Sequence, residues 1–67
     1  MNEDQKIGQI IKAFRLENGW TQDKMAVYLG ISRPLIIRLE KGRGKLMDLT
    51  RAKIKKQLDM THHEAVA

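Results

Sequence analysis

Apolar residues at Ile7, Ile10, Ile11 and Phe14 stand at i, i+3, i+4 and i+7, the spacing of one stripe along an α-helix. Polar residues place that helix over 2–18. Asn2 or Asp4 can cap its start, acids occupy its first turn, and Gly19 follows its end. Gly8 interrupts the stripe at a cost of about 1 kcal/mol relative to Ala, which points to a close helix contact there. Trp20 follows the turn, where its burial would fix the first helix against the second.

The pattern then shortens. A second helix runs from Thr21 as N-cap to about Leu29, with Met25, Ala26 and Leu29 inward and Gly30 as its stop. Ile31 plugs the turn, and Ser32 caps a third helix with Arg33 and Pro34 in its first turn. Proline is tolerated there because that turn leaves its N–H groups unpaired anyway. Ile36 and Leu39 face inward, and Gly42 closes the helix. "KGRGK" (41–45) is a basic, glycine-punctuated loop. A fourth helix is expected over 46–58, with Leu49, Ile54 and Leu58 on the core and Arg51, Lys53, Lys55 and Lys56 outward. Thr61 followed by Glu64 is a capping-box signature, so "THHEAVA" reads as a short fifth helix ending in Val66. The pattern contains no strand, repeat or low-complexity segment. The expected fold is a small all-α domain of four to five helices occupying residues 1–67 as one unit.

Composition narrows the function classes. There is no cysteine, which excludes disulfides, cysteine-ligated zinc and a thiol nucleophile and fits a cytoplasmic chain. No apolar run approaches the roughly 18 residues of a membrane span, and nothing resembles a signal peptide. Phe14, Trp20 and Tyr28 are the only aromatics, too few to stack successive bases. The net charge of +5 is unevenly spread. Residues 1–32 are balanced, whereas 33–56 carry nine basic residues against Glu40 and Asp48. A field concentrated on one half of a small domain suits a polyanion.

Two short helices joined by a glycine-containing turn, with a small alanine early in the first, form the helix-turn-helix pattern, here over 21–42. Ala26 lets the third helix cross close to the second, and Gly30 makes the turn without a Cβ penalty. Met25, Leu29, Ile31, Ile36 and Leu39 lock the pair. The outer face of the third helix then carries Arg33, Pro34, Ile37 and Arg38 and is free to enter a groove.

These residues carry a resemblance. "RLENGWTQ" (15–22), "MA..LGIS" (25–32) and "I.RLEKG" (36–42) resemble the lambda-repressor-like family, the Cro and repressor type of helix-turn-helix domain, over about Ile7 to Val66. The resemblance implies that Gln22 grips a phosphate, that Arg33, Pro34, Ile37 and Arg38 read base edges, and that Lys41, Arg43 and Lys45 hold the backbone. Ser32, the cap of the reading helix, joins the phosphate contacts. The resemblance also implies an Arg15–Glu40 pair that supports the fold. "LDMT" (58–61) stands where the family leads into its last helix, with Asp59 at a position where glycine is common. Glutamine or serine is frequent in the family where this chain has Arg33 and Pro34, so no base code carries across.

The target is therefore argued from chemistry. Arg33 and Arg38 can each donate two hydrogen bonds to guanine O6 and N7, worth ~1–3 kcal/mol of discrimination per good pair. Pro34 and Ile37 lack donors and suit thymine methyls, giving a half-site with guanine beside thymine. Plainer readings stand beside these. The two arginines can serve phosphates alone. Ile37 can be covered in part by the fourth helix, and Leu35 can be partial packing or surface. The lysines at 53, 55 and 56 read as a solvated face, Tyr28 as an exposed aromatic at a helix end, and acidic "MNED" as a cap or arm. His62 and His63 point about 100° apart on a helix and lack a third ligand, so no metal is expected.

The leading expectation is a sequence-specific DNA-binding transcriptional regulator, a repressor, bound to double-stranded DNA as a homodimer on an inverted repeat. Dimer contacts are assigned to Leu46, Met47, Met60 and Val66 on the fourth and fifth helices. No cofactor, small-molecule ligand or membrane is expected. The alternative is an antitoxin or other protein-interaction module that regulates its own operon, and a third class is non-specific architectural or RNA binding. No nucleophile–base pair or metal set suggests an enzyme.

Overall fold

The computed structural model describes residues 1–59. Four helices follow one another: α1 (Glu3–Glu17), α2 (Gln22–Leu29), α3 (Arg33–Glu40) and α4 (Asp48–Gln57). Among the described residues there is no strand, and no helix is long and apolar enough to cross a membrane. The all-α fold read from the sequence is thus observed. The expected fifth helix, with Met60, His62, His63 and Val66, lies outside the described residues.

Local chemistry sets the first three helices. Asn2 closes a capping box on α1: its side chain accepts from the Gln5 backbone N–H at 2.8 Å, and the Gln5 side chain accepts from the Asn2 backbone N–H at 3.0 Å. Thr21 caps α2 through the Lys24 N–H at 3.1 Å, and Ser32 caps α3 through the Leu35 N–H at 3.3 Å. Gly30 ends α2 at φ +70°, and the Ile31 N–H returns to the Ala26 carbonyl at 3.1 Å. A side chain with a Cβ would strain that left-handed turn, which sets the angle at which α3 leaves α2.

The core is formed by Ile7, Ile11, Met25, Ala26, Leu29, Ile36, Leu39, Leu46, Ile54 and Leu58, with Phe14, Trp20, Ile31 and Leu35 packed on its edge. Burying such side chains stabilises by ~1.5–3 kcal/mol each before chain entropy is counted. Gly8 lies at the closest approach of α1 and α3, where a Cβ would fall 1.9 Å from the Leu39 carbonyl oxygen. The helix contact expected at Gly8 is therefore with α3. Ile10 departs from the expected stripe and is 37% exposed. At about 100° per residue it sits on the stripe's margin, beyond Ile7 and Ile11.

Trp20 is half-buried, and Tyr28 is more than an exposed helix end. The Phe14 and Tyr28 rings stack at 5.7 Å, Trp20 meets Phe14 edge-on at 5.7 Å, and Trp20 and Tyr28 lie 5.1 Å apart. The three rings brace α1 against α2, and the Lys24 amine sits 5.4 Å over the Trp20 ring.

The fourth helix departs most from expectation. It begins at Asp48, so Leu46 belongs to the lead-in segment, where it is buried at 6% exposure. Leu46 is core and cannot also be a dimer contact. Leu49, expected inside, is 87% exposed, and Met47 is 80% exposed. Ile54 and Leu58 share one face of α4, whereas Leu49 lies five and nine residues away from them, on the far side at about 100° per residue.

Arg51 also turns inward. Its Nε donates to Asp4 at 2.7 Å, Nη1 to Asp48 at 2.8 Å and Nη2 to the Leu46 carbonyl at 2.7 Å. Asp4 in turn accepts the Leu46 N–H at 3.0 Å. Lys55, likewise expected outward, donates to Glu3 at 2.7 Å. Hydrogen bonding from Arg51 holds the Asp4 carboxyl below its ordinary range, with burial opposing and the Leu46 N–H adding to it. The same contacts with Asp4 and then Asp48 push the Arg51 guanidinium up. Asp59 adopts φ +59°, so this position does call for the left-handed backbone that glycine takes easily. Aspartate is among the few other residues that visit it.

Candidate nucleic-acid interface

α3 is held by its inner face. Ile36 and Leu39 are buried, and Leu35 packs on the core margin. Four positions then remain on the opposite side. Arg33, Pro34 and Arg38 are exposed, and Ile37 between them is half-buried without packing on the core cluster. Spaced i, i+1, i+4 and i+5, they share one helical face, and Lys41 continues it. The four residues named as base readers are therefore brought together on one open surface.

The loop after α3 extends that surface. The Arg43 N–H returns to the Arg38 carbonyl at 2.9 Å, and the Gln5 side chain donates to the Gly42 carbonyl at 3.4 Å. Further on, Asp4 and Arg51 grip Leu46 by its N–H and its carbonyl. The "KGRGK" loop is pinned at both ends by the start of α1, and Lys41, Arg43 and Lys45 are exposed along it. Sequence reasoning missed this role of Asp4 and Arg51. The available signal was an arginine among lysines three residues after an aspartate, since the planar guanidinium is the side chain suited to several acceptors at once.

Glu40 is the acid nearest this surface in sequence, and its charge is taken up internally. Arg15 Nε and Nη2 donate to its two carboxylate oxygens at 2.8 Å and 3.0 Å. The two side chains are only 15% and 6% exposed. Hydrogen bonding to Glu40 pushes the Arg15 guanidinium up, against the cost of burial. Arg15 Nη1 also donates to the Trp20 carbonyl at 3.1 Å, which ties the α1–α2 turn to the end of α3. The expected Arg15–Glu40 pair is present, and it is a largely buried one.

Gln22 opens α2 and is half-buried, with its amide donating to Glu40 Oε1 at 3.4 Å. Its side chain is thus anchored beside α3 rather than extended into solvent. Ser32 is exposed, and its hydroxyl oxygen is engaged as the α3 cap, which leaves the hydroxyl proton to donate. Arg33 lies 3.3 Å through Nε from Asp23, a contact between helices that no local spacing predicts. Lys53 reaches back over the α2–α3 turn, where its Nζ would meet a Cβ on Gly30 at 2.8 Å. Arg51 and Lys55 belong to the internal ion-pair network, so α3 and the loop after it present Arg33, Arg38, Lys41, Arg43 and Lys45, with Lys53 and Lys56 exposed on α4.

A face of four clustered side chains on a short exposed helix, followed by a pinned basic loop, can enter a duplex groove and meet phosphates at its edge. Comparison with known proteins agrees. A family model of helix-turn-helix domains matches residues 11–64, which include α2, α3 and α4 whole and the C-terminal part of α1. No curated protein and no solved structure matches the chain.

Proposed function

The chain belongs to the helix-turn-helix family of Cro and lambda-repressor type and is a DNA-binding regulator, and from that premise we propose that it is a repressor reading a specific operator. The observation that carries the proposal is the shared open face of Arg33, Pro34, Ile37 and Arg38 on α3. In this reading α3 lies in the major groove. Arg33 and Arg38 address guanine O6 and N7, and Pro34 and Ile37 pack on thymine methyls. Gln22, Ser32, Lys41, Arg43 and Lys45 contact phosphates on either side. Repression follows when the occupied operator overlaps a promoter.

The operator is read by a homodimer on an inverted repeat, with half-sites about 34–36 Å apart, one turn of DNA. Met47 and Leu49, exposed at the start of α4, supply an apolar surface for that pairing in place of the buried Leu46. Selection of bound sequences from a random duplex pool tests the whole reading. The expected outcome is an enriched palindrome whose half-sites contain guanine beside thymine. Failure to enrich any sequence, or half-sites built only of A·T pairs, would overturn it.

A further inference from the structure

Asp23 is an acidic residue at the edge of a surface that otherwise presents positive charge. It is the second residue of α2, and its side chain is 74% exposed. There it would repel the phosphates that flank a groove-bound α3. One account is local: an acid in the first turn of a helix is favourable to that helix whatever its partner. That account does not explain where the carboxylate points. It lies 3.3 Å from Nε of Arg33, the first residue of α3, whose side chain is 57% exposed. So exposed a pair contributes little to the fold.

We infer that Asp23 is a positioning residue for Arg33 that sharpens sequence discrimination, an inference that rests on the base-reading role proposed above for Arg33. The closest approach is through Nε. Arg33 donates no hydrogen bond to a described residue, so its guanidinium remains available to the two acceptors of a guanine edge. A long side chain loses rotamer freedom when it docks, and partial ordering beforehand recovers some of that loss, roughly 2- to 10-fold in affinity for the matching base. The same carboxylate weakens binding wherever Arg33 finds no guanine, because its charge then faces phosphate. Asp23 therefore raises affinity for the right base pair and lowers it for the rest.

The test measures binding of the full chain to the selected operator, to the set of operators with single base-pair changes, and to random duplex. Wild type, Asp23→Asn, Asp23→Glu, Arg33→Ala and the Asp23→Asn/Arg33→Ala double variant are compared, with circular dichroism confirming that each is folded. Arg33→Ala identifies the base pair that Arg33 reads as the one whose substitution no longer matters. Asp23→Asn is expected to bind random duplex more tightly. It should also lose roughly 2- to 10-fold of discrimination at that one base pair. In the Arg33→Ala background Asp23→Asn should change no base preference, and Asp23→Glu should restore part of the lost discrimination. If Asp23→Asn raises affinity for every duplex by one common factor, Asp23 is only a repulsive charge and the inference is wrong. If Arg33→Ala leaves every base preference intact, the base-reading role of Arg33 fails first and the inference falls with it.

Discussion

Replacing Gly8 by alanine sets two effects of opposite sign against each other. Judged by helix propensity alone, the change should stabilise α1 by about 1 kcal/mol. Judged by packing, it inserts a Cβ 1.9 Å from the Leu39 carbonyl oxygen and 2.6 Å from its carbon. Ordinary contact begins near 3.4 Å, so α1 and α3 must part by about 1.5 Å. The obstacle is backbone, which cannot swing aside as a side chain can. Overpacking typically costs ~1–3 kcal/mol, and a clash with backbone belongs at the top of that range or above it. The net expectation is a loss of about 2–4 kcal/mol. At ~4–8 °C per kcal/mol for a domain of this size, Tm should fall by roughly 10–30 °C. Urea and thermal unfolding, followed by circular dichroism and Trp20 fluorescence, measure it directly. Gly19→Ala is the control: its Cβ meets nothing within 4 Å, so it pays only for the left-handed backbone, ~1–2 kcal/mol. A Gly8→Ala protein as stable as wild type, or more so, would refute the close seating of the recognition helix on α1.

Further expectations concern the ion-pair network, α4 and the groove face. Asp4 titrates below its ordinary value of 3.8 in the folded chain, so its contribution is complete above that value and disappears as pH falls through the lower native one. Acid unfolding of Asp4→Asn should accordingly show a shallower loss of stability below about pH 4 than wild type, together with lower stability at neutral pH. Leu46→Ala should destabilise the monomer by ~2–5 kcal/mol as a core truncation, whereas Met47→Ser with Leu49→Ser should leave folding intact and weaken self-association in sedimentation. Asp59→Gly should raise stability by ~0.5–1 kcal/mol by relieving the left-handed backbone, read in the same unfolding assays. In fluorescence anisotropy, Arg38→Ala should weaken the selected operator more than random duplex by ~1–3 kcal/mol, and Lys45→Ala should weaken both alike.

The boundaries of α1, α2 and α3 follow from residues a few places apart. Asn2 with Gln5, Thr21 with Lys24, Ser32 with Leu35 and the turn at Gly30 are each closed by neighbours three to five positions away. The chain's linear order carries such contacts, and the apolar spacing adds which side of α2 and α3 turns inward. The open face of α3 was therefore readable from Arg33 to Arg38. The family resemblance supplied the Arg15–Glu40 pair, which bridges 25 positions and obeys no local rule.

Packing alone decided the rest. Leu46 and Leu49 are the same residue type three positions apart. α4 starts two residues later than its apolar pattern suggested, and that placed one in the core and the other in solvent. Arg51 and Lys55 sit in one basic run with Lys53 and Lys56, yet α1 brings Asp4 and Glu3 to the first two. Asp23 meets Arg33 because the Gly30 turn folds the starts of α2 and α3 together. Caps and periodicity act over one or two helical turns, and the chain encodes them in order. Partners for exposed charges and chain ends are chosen by distances of about 3 Å between remote segments, and those distances exist only once the core has closed.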